Sequence, residues 1–314
     1  MKNSLSWLGF AALGAVGPLA AHFIPAGMTL SLLAQATFAA IFALGIGFLI
    51  RQNGTISFGH AAFFGLPGYA VAALLPLKLM PLEVLFAAAL VGTVALAFAI
   101  GLVVVRVHGI AFGMLTLAIG QGLYEAATRW RAVTGGHDGM TLRLPREVFG
   151  LPVKLLQQPH GMFVAAWIVM TLCLVAVWLF ARSPWGRLTE AIRDNEERVR
   201  FLGYRTLLPR AAVFAASALL VAIAGMLSVL YNAFISPDAI HWTASGSGLI
   251  MAILGGSAVA WGPLLGGFVY FFLKHAAGAY TTHWLSIIGV ALILVAVAFP
   301  NGLAGLMIRQ RSRP

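Results

Sequence analysis

The sequence predicts an all-α fold, a polytopic membrane bundle of about eight to ten transmembrane helices in a single domain. Of its 314 residues, 61% are hydrophobic and 9% are charged, and the mean hydropathy is +0.93. A soluble domain needs a largely polar exterior, so this composition requires a bilayer as the solvent. One segment, residues 182–210, holds eleven charged side chains, among them four of the nine acidic residues. We call it the charged island.

The transmembrane helices are predicted from runs of about twenty apolar residues, which can cross a hydrocarbon core of ~30 Å. The first run is either a retained helix or a cleaved signal peptide, and we favour the helix because Ala20-Ala21-His22 is a poor cleavage context. The uninterrupted runs are residues 5–24, 28–50, 56–76, 82–105, 110–128, 161–181, 211–231 and 284–299.

A further apolar stretch, residues 246–274, is broken near its middle. Gly and Pro free backbone groups that lipid cannot satisfy, so the break must pack inside the protein or line a cavity. The residues of the break are Gly255, Gly256, Trp261, Gly262 and Pro263.

Charge predicts the sides of the membrane. Basic residues collect in cytoplasmic loops, so the charged island and the tail with Arg309, Arg311 and Arg313 are both expected inside. Residues 246–274 then cross an even number of times, as two short helices or as a re-entrant hairpin. Counting backwards places residues 129–160 outside, despite their five basic residues, and the N-terminus inside. The result is ten crossings with both termini in the cytoplasm.

This count predicts an inverted repeat. Crossings two to five form a block that begins outside, and crossings seven to ten form a block that begins inside. The first helical repeat is therefore residues 28–130 and the second is residues 211–300, with the island at 182–210 between them. Inverted repeats place the transport path at their interface. Residues 56–76 and 248–267 are both rich in glycine and other small residues. The abundance of Gly and Ala in the whole chain explains this similarity equally well.

Within the island, residues 189–202 predict one amphipathic helix on the cytoplasmic face. Its opposite charges at i,i+4 support a solvated helix. Gly203 is placed to end it. The alternatives are an ordinary charged loop and an element that docks on a soluble motor. The predicted pairs are Arg193/Glu197, Asp194/Arg198 and Glu196/Arg200, and the apolar edge is Ile192, Val199 and Leu202.

Six segments of the chain form an ordered set of motifs. They are ISFGHAAFFGLPGY (56–69), FGMLTLAI (112–119), TGGHDGM (134–140), SPWGRLTEAIRDNEERVRFLGY (183–204), LGGSAVAWGPLLGG (254–267) and FPNGLAGL (299–306). Taken in order, they resemble the LivM-type permease of branched-chain amino acid ABC importers, over residues 30–308.

Glu197 and Gly203 have the acid-to-glycine spacing of the loop by which such permeases engage their ATPase. Arg198 and Val199 replace two alanines there, and the usual Leu-Pro does not follow.

The resemblance implies a type II importer architecture in the bacterial inner membrane. Its expected partners are a LivH-type permease subunit, two ATP-binding subunits and a periplasmic substrate-binding protein, within membrane lipid. The net charge of +11 fits cytoplasmic loops better than nucleic-acid binding. Coupling to the ATPase is expected at Glu190, Ile192, Arg193, Glu197, Val199 and Gly203.

Nothing in the sequence predicts an enzyme, a cofactor or a metal site. The sequence has no Gly-x-x-x-x-Gly-Lys-Ser/Thr loop, so ATP hydrolysis would belong to a partner. No His-x-x-x-His or cysteine pair suggests a metal. His137 and Asp138 are interpreted as part of a Gly-rich turn.

Several residues in the predicted spans are candidates for the transport path or for helix packing. His60 either lines the path or hydrogen-bonds to hold a kinked helix. Phe63, Phe64 and Tyr69 either form an apolar gate or face lipid. The full set is Ser57, Gly59, His60, Phe63, Phe64, Gly65, Tyr69, Thr116, Gly255, Gly256, Trp261, Gly262 and Pro263.

The resemblance implies a permease for branched-chain or related small amino acids, and relatives by pattern that handle urea, amides or small organic and aromatic acids remain an alternative. An ion-coupled secondary transporter would need buried acids at mid-membrane, and the sequence has essentially none apart from Glu125, whose expected partner is Arg129. A membrane scaffold would not need broken Gly-rich helices. Lys274 and His275 are expected at a helix end.

Overall fold

The structure is a computed structural model that describes residues 2–24, 27–148, 150–280, 283–298 and 302–309. Arg311 and Arg313 of the predicted tail lie outside the described residues. The elements in chain order are α1 (Lys2–Phe23), α2 (Met28–Asn53), α3 (His60–Leu74), α4 (Leu82–Val104), α5 (Ile110–Arg129), α6 (Arg131–Thr134), β1 (Met140–Thr141), β2 (Glu147–Val148), β3 (Leu151–Pro152), α7 (Val153–Gln157), α8 (Pro159–Arg182), α9 (Pro184–Asp194), α10 (Glu196–Phe201), α11 (Leu207–Asn232), β4 (Phe234–Ile235), α12 (Trp242–Gly255), α13 (Gly262–Tyr280), α14 (Trp284–Ala298) and α15 (Gly302–Arg309).

The predicted all-α polytopic bundle is confirmed. Among the described residues, six helices are long and apolar enough to cross a membrane: α2, α3 with its short 3₁₀ extension, α4, α5, α8 and α11. The described apolar part of α1 (Gly9–Phe23) and α12 are shorter. The count of ten crossings therefore stays a prediction.

Helices α2 and α11 form the centre of the bundle. They run antiparallel, because the Asn53 side chain donates to the backbone oxygen of Arg210 at one end, and the Tyr231 hydroxyl donates to Ser31 at the other. The two helices approach so closely that a Cβ at Gly45 would lie 2.7 Å from α11. Helices that are apolar on all sides belong in such a position, where no face meets water.

Two short helices, α3 and α12, each follow a segment that is not α-helical. The predicted run 56–76 becomes helical only at His60, because Gly54 takes φ 67 as the C-cap of α2 and ends that helix. Between α11 and α12 the chain forms the short strand β4 and a one-turn 3₁₀ helix, Pro237–Ile240.

The broken stretch 246–274 forms a helical hairpin of α12 and α13. A Cβ at Gly255 would lie 2.0 Å from the carbonyl oxygen of Gly262, and one at Gly266 would lie 1.9 Å from that of Met251. Only glycine allows backbones to approach so closely. The break is therefore packed inside the protein, as predicted, and the stretch comprises two helices.

The loops gather at two opposite ends of the bundle. At the island end, α9 packs on the C-terminus of α2 and α10 approaches the start of α11. At the other end, which we call the strand end, β1 pairs antiparallel with β4 and so joins the loop after α5 to the loop after α11. The charged island and residues 129–160, which the charge pattern assigned to opposite sides of the membrane, thus lie at opposite ends of the bundle.

Candidate functional site

His60 lies in a buried polar junction at the start of α3. Its Nδ1 is 2.7 Å from the Ser57 hydroxyl, and its Nε2 is 2.9 Å from the Ser217 hydroxyl. Ser217 donates its proton to the carbonyl oxygen of Gly45 at 2.7 Å, so its oxygen must accept from Nε2. His60 is therefore the neutral Nε2–H tautomer, with both ring nitrogens bonded.

The same junction satisfies the first backbone groups of α3, which lack partners inside the helix. The Ser245 hydroxyl accepts from the N–H of Ala61 at 2.8 Å, and the Thr116 hydroxyl accepts from the N–H of Phe58 at 3.2 Å. A Cβ at Gly59 would lie 2.2 Å from the carbonyl oxygen of Thr116. Side chains of α5 and α12 thus fix the point where α3 begins.

The structure accordingly places Ser57, Gly59, His60 and Thr116 in one packing junction. A cavity lies between α2, α11, α12 and α13 at the strand end, and none of these four is among its described lining residues. Gly65 packs under Ile240. Tyr69 borders a separate apolar cavity of about 250 Å³ between α3 and α5.

A cavity of about 770 Å³ opens at the strand end between α2, α11, α12 and α13. Its wall is largely aromatic and apolar, and amide and hydroxyl groups are placed around it. Such a combination suits a small ligand with an apolar body and a few polar groups. The apolar wall includes Phe38, Phe42, Phe64, Met251 and Phe271, and the polar groups include Gln35, Ser228, Asn232, Ser247 and Tyr270.

Two basic residues lie along this cavity. Lys274 and His275 lie on its wall, and none of its described lining residues is Asp or Glu. The prediction that these two residues sit at a helix end is wrong, because α13 continues to Tyr280 and so carries them along the cavity.

Phe64 is the predicted gate residue that reaches the cavity. Its ring packs edge-to-face on Phe42, with the ring centroids 5.5 Å apart, on the wall of the cavity. A Cβ at Gly225 would lie 1.8 Å from the carbonyl oxygen of Phe64, so α11 holds this part of α3 in place. Phe63 points elsewhere, against His60 and Phe214.

The residues of the hairpin break lie at the island end. A Cβ at Gly47 would lie 2.2 Å from the ring of Pro263, and a Cβ at Gly302 would lie 2.5 Å from the backbone of Gly256. Helices α2 and α15 therefore pack against the break from two sides. Trp261 is partly exposed and borders a groove separate from the cavity. These residues act in packing in the described structure.

The charged island contains two helices, so the prediction of one helix over residues 189–202 is wrong. The chain extends at Asn195, whose side-chain oxygen accepts from the N–H of Arg198 at 2.9 Å and caps α10. Gly203 adopts φ 88 just after α10 and ends it, as predicted.

The interruption of the helix at Asn195 changes the charge pairs. Glu196 and Arg200 pair as predicted. Arg193 instead pairs with Asp194 at 2.7 Å and donates to the backbone oxygen of Arg51, so the predicted Arg193/Glu197 and Asp194/Arg198 pairs are wrong. Their i,i+4 spacing no longer applies, because residue 195 lies outside both helices.

The apolar edge of the island points inward. Ile192 and Val199 are 3% and 5% exposed, so these two residues of the predicted apolar edge pack within the chain. Helix α9 is anchored to the end of α2, where the Thr189 hydroxyl donates to Gln52 at 2.7 Å and Glu190 lies 3.5 Å from Arg51. These side chains fasten the island to the bundle.

Glu196 fastens α10 in the same way. Its carboxylate accepts from Arg210 at 2.8 Å, from Thr206 at 2.7 Å and from Arg200, and it lies 2.8 Å from Nε2 of His108. Burial raises the pKa of Glu196, but the hydrogen bonds from Thr206 and His108 and the charge of Arg210 outweigh it and lower the pKa to about 2. The Glu196/Arg200 spacing was the one sign of this cluster that could be found in the sequence.

The outward face of α10 and the turn after it combines charge with large apolar groups. Glu197 and Arg198 are exposed, and Phe201, Leu202 and Tyr204 are 90%, 70% and 56% exposed. We call these five residues the outer face. Sequence reasoning missed Phe201 and Tyr204, although aromatic residues in a charged loop are a usable signal for an interface.

Two further predictions are confirmed away from these sites. Arg129 pairs with Glu125 at 3.2 Å. His137 and Asp138 lie in a one-turn 3₁₀ helix between glycines with positive φ, which is the predicted turn.

Comparison with known proteins shows the family to which the chain belongs. The family model described as "Branched-chain amino acid transport system / permease component" matches residues 28–297. The chain is 22% identical over 289 residues to the high-affinity branched-chain amino acid transport system permease protein LivM of Escherichia coli (strain K12), covering 84% of this chain and 67% of that protein. No solved structure matches the chain.

Two other relatives show the range of the similarity. The chain is 26% identical over 286 residues to the corresponding permease protein LivH of Salmonella typhimurium, covering 85% of this chain and 91% of the relative. It is also 30% identical over 151 residues to the autoinducer 2 import system permease protein LsrC of Photorhabdus laumondii, covering 43% and 44%.

Proposed function

The chain belongs to the family of branched-chain amino acid transport system permease components, and on that premise we propose that it is the transmembrane subunit of an ATP-driven ABC importer. One observation carries the proposal. The cavity lies at the strand end, where Phe42 and Phe64 on its wall pack edge-to-face, whereas the outer face lies at the opposite end of the bundle. A motor acting at one end could then open the path to a substrate received at the other.

The proposed substrate is a branched-chain or related small amino acid. The aromatic wall suits an aliphatic side chain, and Lys274 suits a carboxylate. Urea and amides lack the carboxylate, so the positive wall argues against that alternative. Small organic and aromatic acids fit the same features and are the second candidate. The name of the LsrC relative supports keeping the substrate range open.

The outer face is the proposed contact with an ATP-binding subunit. Phe201 and Tyr204 offer apolar surface, and Glu197 offers a charge to a basic partner. Glu190, Ile192, Arg193 and Val199, which the resemblance implied as coupling residues, would act by holding the island rigid. Gly203 would set the angle at which the chain leaves α10. Two ATP-binding subunits would carry out the ATP hydrolysis.

We further propose the inverted repeat, with α2–α5 matching α11–α14. Helices α2 and α11 each have 26 residues, and α3 and α12 have 15 and 14. The start of α3 meets the start of α12 through the bond from Ala61 to Ser245. The second permease of the complex would be LivH-type, and a periplasmic binding protein would deliver substrate at the strand end.

The island end would face the cytoplasm, with both termini on that side of the bacterial inner membrane. The positive-inside rule supports this orientation. The ion-coupled alternative is weaker, because Glu125 is 47% exposed and paired near the end of α5. A scaffold would have no use for an aromatic cavity with a positive wall.

The proposal is tested by purifying the complex through a tag on this chain and measuring the ATP-binding subunits that accompany it. We expect Glu197→Arg to remove them, because the reversed charge would meet a basic partner. Glu147→Arg is the matched control, since Glu147 is exposed at the strand end. Equal recovery of the ATP-binding subunits with both variants would place the motor contact elsewhere.

A further inference from the structure

The cavity between α2, α11, α12 and α13 runs along α2 for about three helical turns, because Leu32 and Phe42, its first and last wall residues on that helix, are ten residues apart. The hydrogen bond from the Tyr231 hydroxyl to Ser31 lies beside Leu32. The carbonyl oxygen of Gly45, which accepts from α11, lies ~20 Å further along α2. We call the part of the wall near Ser31 the strand level and the part near Gly45 the inner level.

Hydrogen-bonding groups that a ligand can use lie at the strand level. Gln35 is one helical turn from Ser31, and Asn232 directly follows Tyr231. Asn232 donates to Ser228, also on the wall, at 3.2 Å, and Gln35 donates to Ser31 at 3.4 Å. The side-chain oxygens of Gln35 and Asn232 accept no hydrogen bond from the described residues. Two neutral acceptors are therefore available at this level.

The inner level is apolar. The rings of Phe42 and Phe64 pack edge-to-face there, with their centroids 5.5 Å apart. Met251 is 7% exposed and belongs to a buried cluster with Ala43, the residue that follows Phe42. Phe38, one helical turn before Phe42, continues this surface toward the strand level. A hydrocarbon group is the part of a ligand that such a wall favours.

Two hydroxyl groups on the cavity wall, those of Tyr270 and Ser247, are already bonded to each other. The Tyr270 hydroxyl donates to Ser247 at 3.1 Å, and Tyr270 is 3% exposed. Ser247 lies one helical turn before Met251 on the same face of α12. An apolar group can lie against this pair without breaking a hydrogen bond, whereas a charged group would have to compete with that bond. The pair therefore does not draw a charged group to the inner level.

Given the proposed function, on which this inference rests, we propose that the substrate binds with its apolar side chain at the inner level and its amino group at Gln35 and Asn232, and that Met251 limits the length of side chain that fits. The amino group needs neutral acceptors, because none of the described wall residues is Asp or Glu. The reverse orientation would move charged groups from water to an apolar wall, which is costly. Met251 sets the limit because it is the last described wall residue of α12 before the hairpin break.

The size limit is tested by competition against labelled leucine on the purified complex, without the binding protein, so that the selectivity of that protein does not contribute. Met251→Ala should strengthen the binding of phenylalanine relative to that of leucine about tenfold, because added carbon in an apolar pocket changes discrimination on this scale. Met226→Ala is the matched control, since Met226 of α11 is 6% exposed and is not among the described residues of the cavity wall. If the alanine variant does not bind leucine, Met251→Val gives the same test with a smaller loss of packing.

The orientation is tested by adding isocaproate, which is leucine without its amino group, to the same competition. Gln35→Leu should lower the preference for leucine over isocaproate about tenfold, because an acceptor of the ammonium group is lost. It should leave the preference between phenylalanine and leucine unchanged. Gln157→Leu, at an exposed glutamine of α7, is the control and should alter neither preference.

The reverse pattern, in which Met251→Ala changes the preference for leucine over isocaproate and Gln35→Leu changes that for phenylalanine, would overturn the proposal. So would leucine binding with preferences that neither variant changes. In both cases leucine still binds, so the proposed function stands. Failure of the unmodified complex to bind either leucine or isocaproate would instead refute the proposed substrate, and this inference with it.

Discussion

Replacing Glu196 by glutamine tests whether its carboxylate fastens α10 to the bundle. The change keeps the size of the side chain and removes its charge. Arg210, whose side chain is 5% exposed, would then lie buried without an anion, and Glu196 itself is 16% exposed. Breaking a fully buried ion pair costs ~3–5 kcal/mol and breaking an exposed one ~1 kcal/mol or less.

The burial of the Glu196–Arg210 pair lies between these two cases, and the amide of glutamine still accepts a hydrogen bond. We therefore expect a loss of about 2 kcal/mol in the local stability of α10. Since 1.4 kcal/mol corresponds to a factor of ten, the backbone amides of α10 should exchange with deuterium about 30-fold faster.

The measurement is hydrogen exchange by mass spectrometry on the purified protein, followed for peptides that cover residues 196–204. Glu197→Gln is the matched control, because Glu197 is the neighbouring residue and is exposed. It should leave the exchange of α10 unchanged. Exchange that is equally slow in both variants would refute the assignment of Glu196 as the fastening residue.

The same contact predicts a dependence on pH. The pKa of Glu196 is lowered to about 2 from an ordinary value of 4.5, so the carboxylate stabilises the folded island as long as it is charged. Its contribution is complete above about pH 4.5 and is lost as the pH falls toward 2. In the Glu196→Gln variant this part of the acid sensitivity should be absent.

Three further outcomes are expected. Gly225→Leu should abolish uptake and reduce folded yield, because its Cβ would lie 1.8 Å from a backbone oxygen of α3, while Gly92→Leu, with no neighbour within 4 Å, should leave the uptake of labelled leucine normal. Lys274→Met should lower uptake of a carboxylate substrate about tenfold and leave that of its amide unchanged, and Lys274→Arg should restore it; equal effects on acid and amide would contradict the role of the charge. Single cysteines at Asn195 and Thr141, in a variant without the native cysteine, should react with an impermeant maleimide from opposite sides of the membrane, and labelling of both in intact cells would overturn the proposed orientation.

The bundle was predictable because its cause is global. Apolar runs of fixed length need a bilayer, and the ends of α5 and α8 fall within two residues of the predicted runs 110–128 and 161–181. The glycine break in residues 246–274 was also readable, since lipid cannot satisfy a free backbone. Composition and periodicity determine such features without knowledge of the neighbouring helices.

The candidate site was less predictable because it depends on contacts distant in sequence. The extended backbone at Asn195 turns Ile192 and Val199 inward, and helical spacing alone gives no sign of that change. The position of Lys274 on the cavity wall follows from the length of α13 and its packing on α2. Even the junction at His60 needs Ser217, which is 157 residues away.

The central claim is that this chain is the membrane subunit of an ATP-driven importer. The direct test is accumulation of labelled leucine in proteoliposomes that contain the complex purified through a tag on this chain, with its binding protein outside and ATP inside. Accumulation should require ATP and persist when an ionophore collapses the proton and sodium gradients. Accumulation that needs such a gradient and proceeds without ATP would contradict the claim.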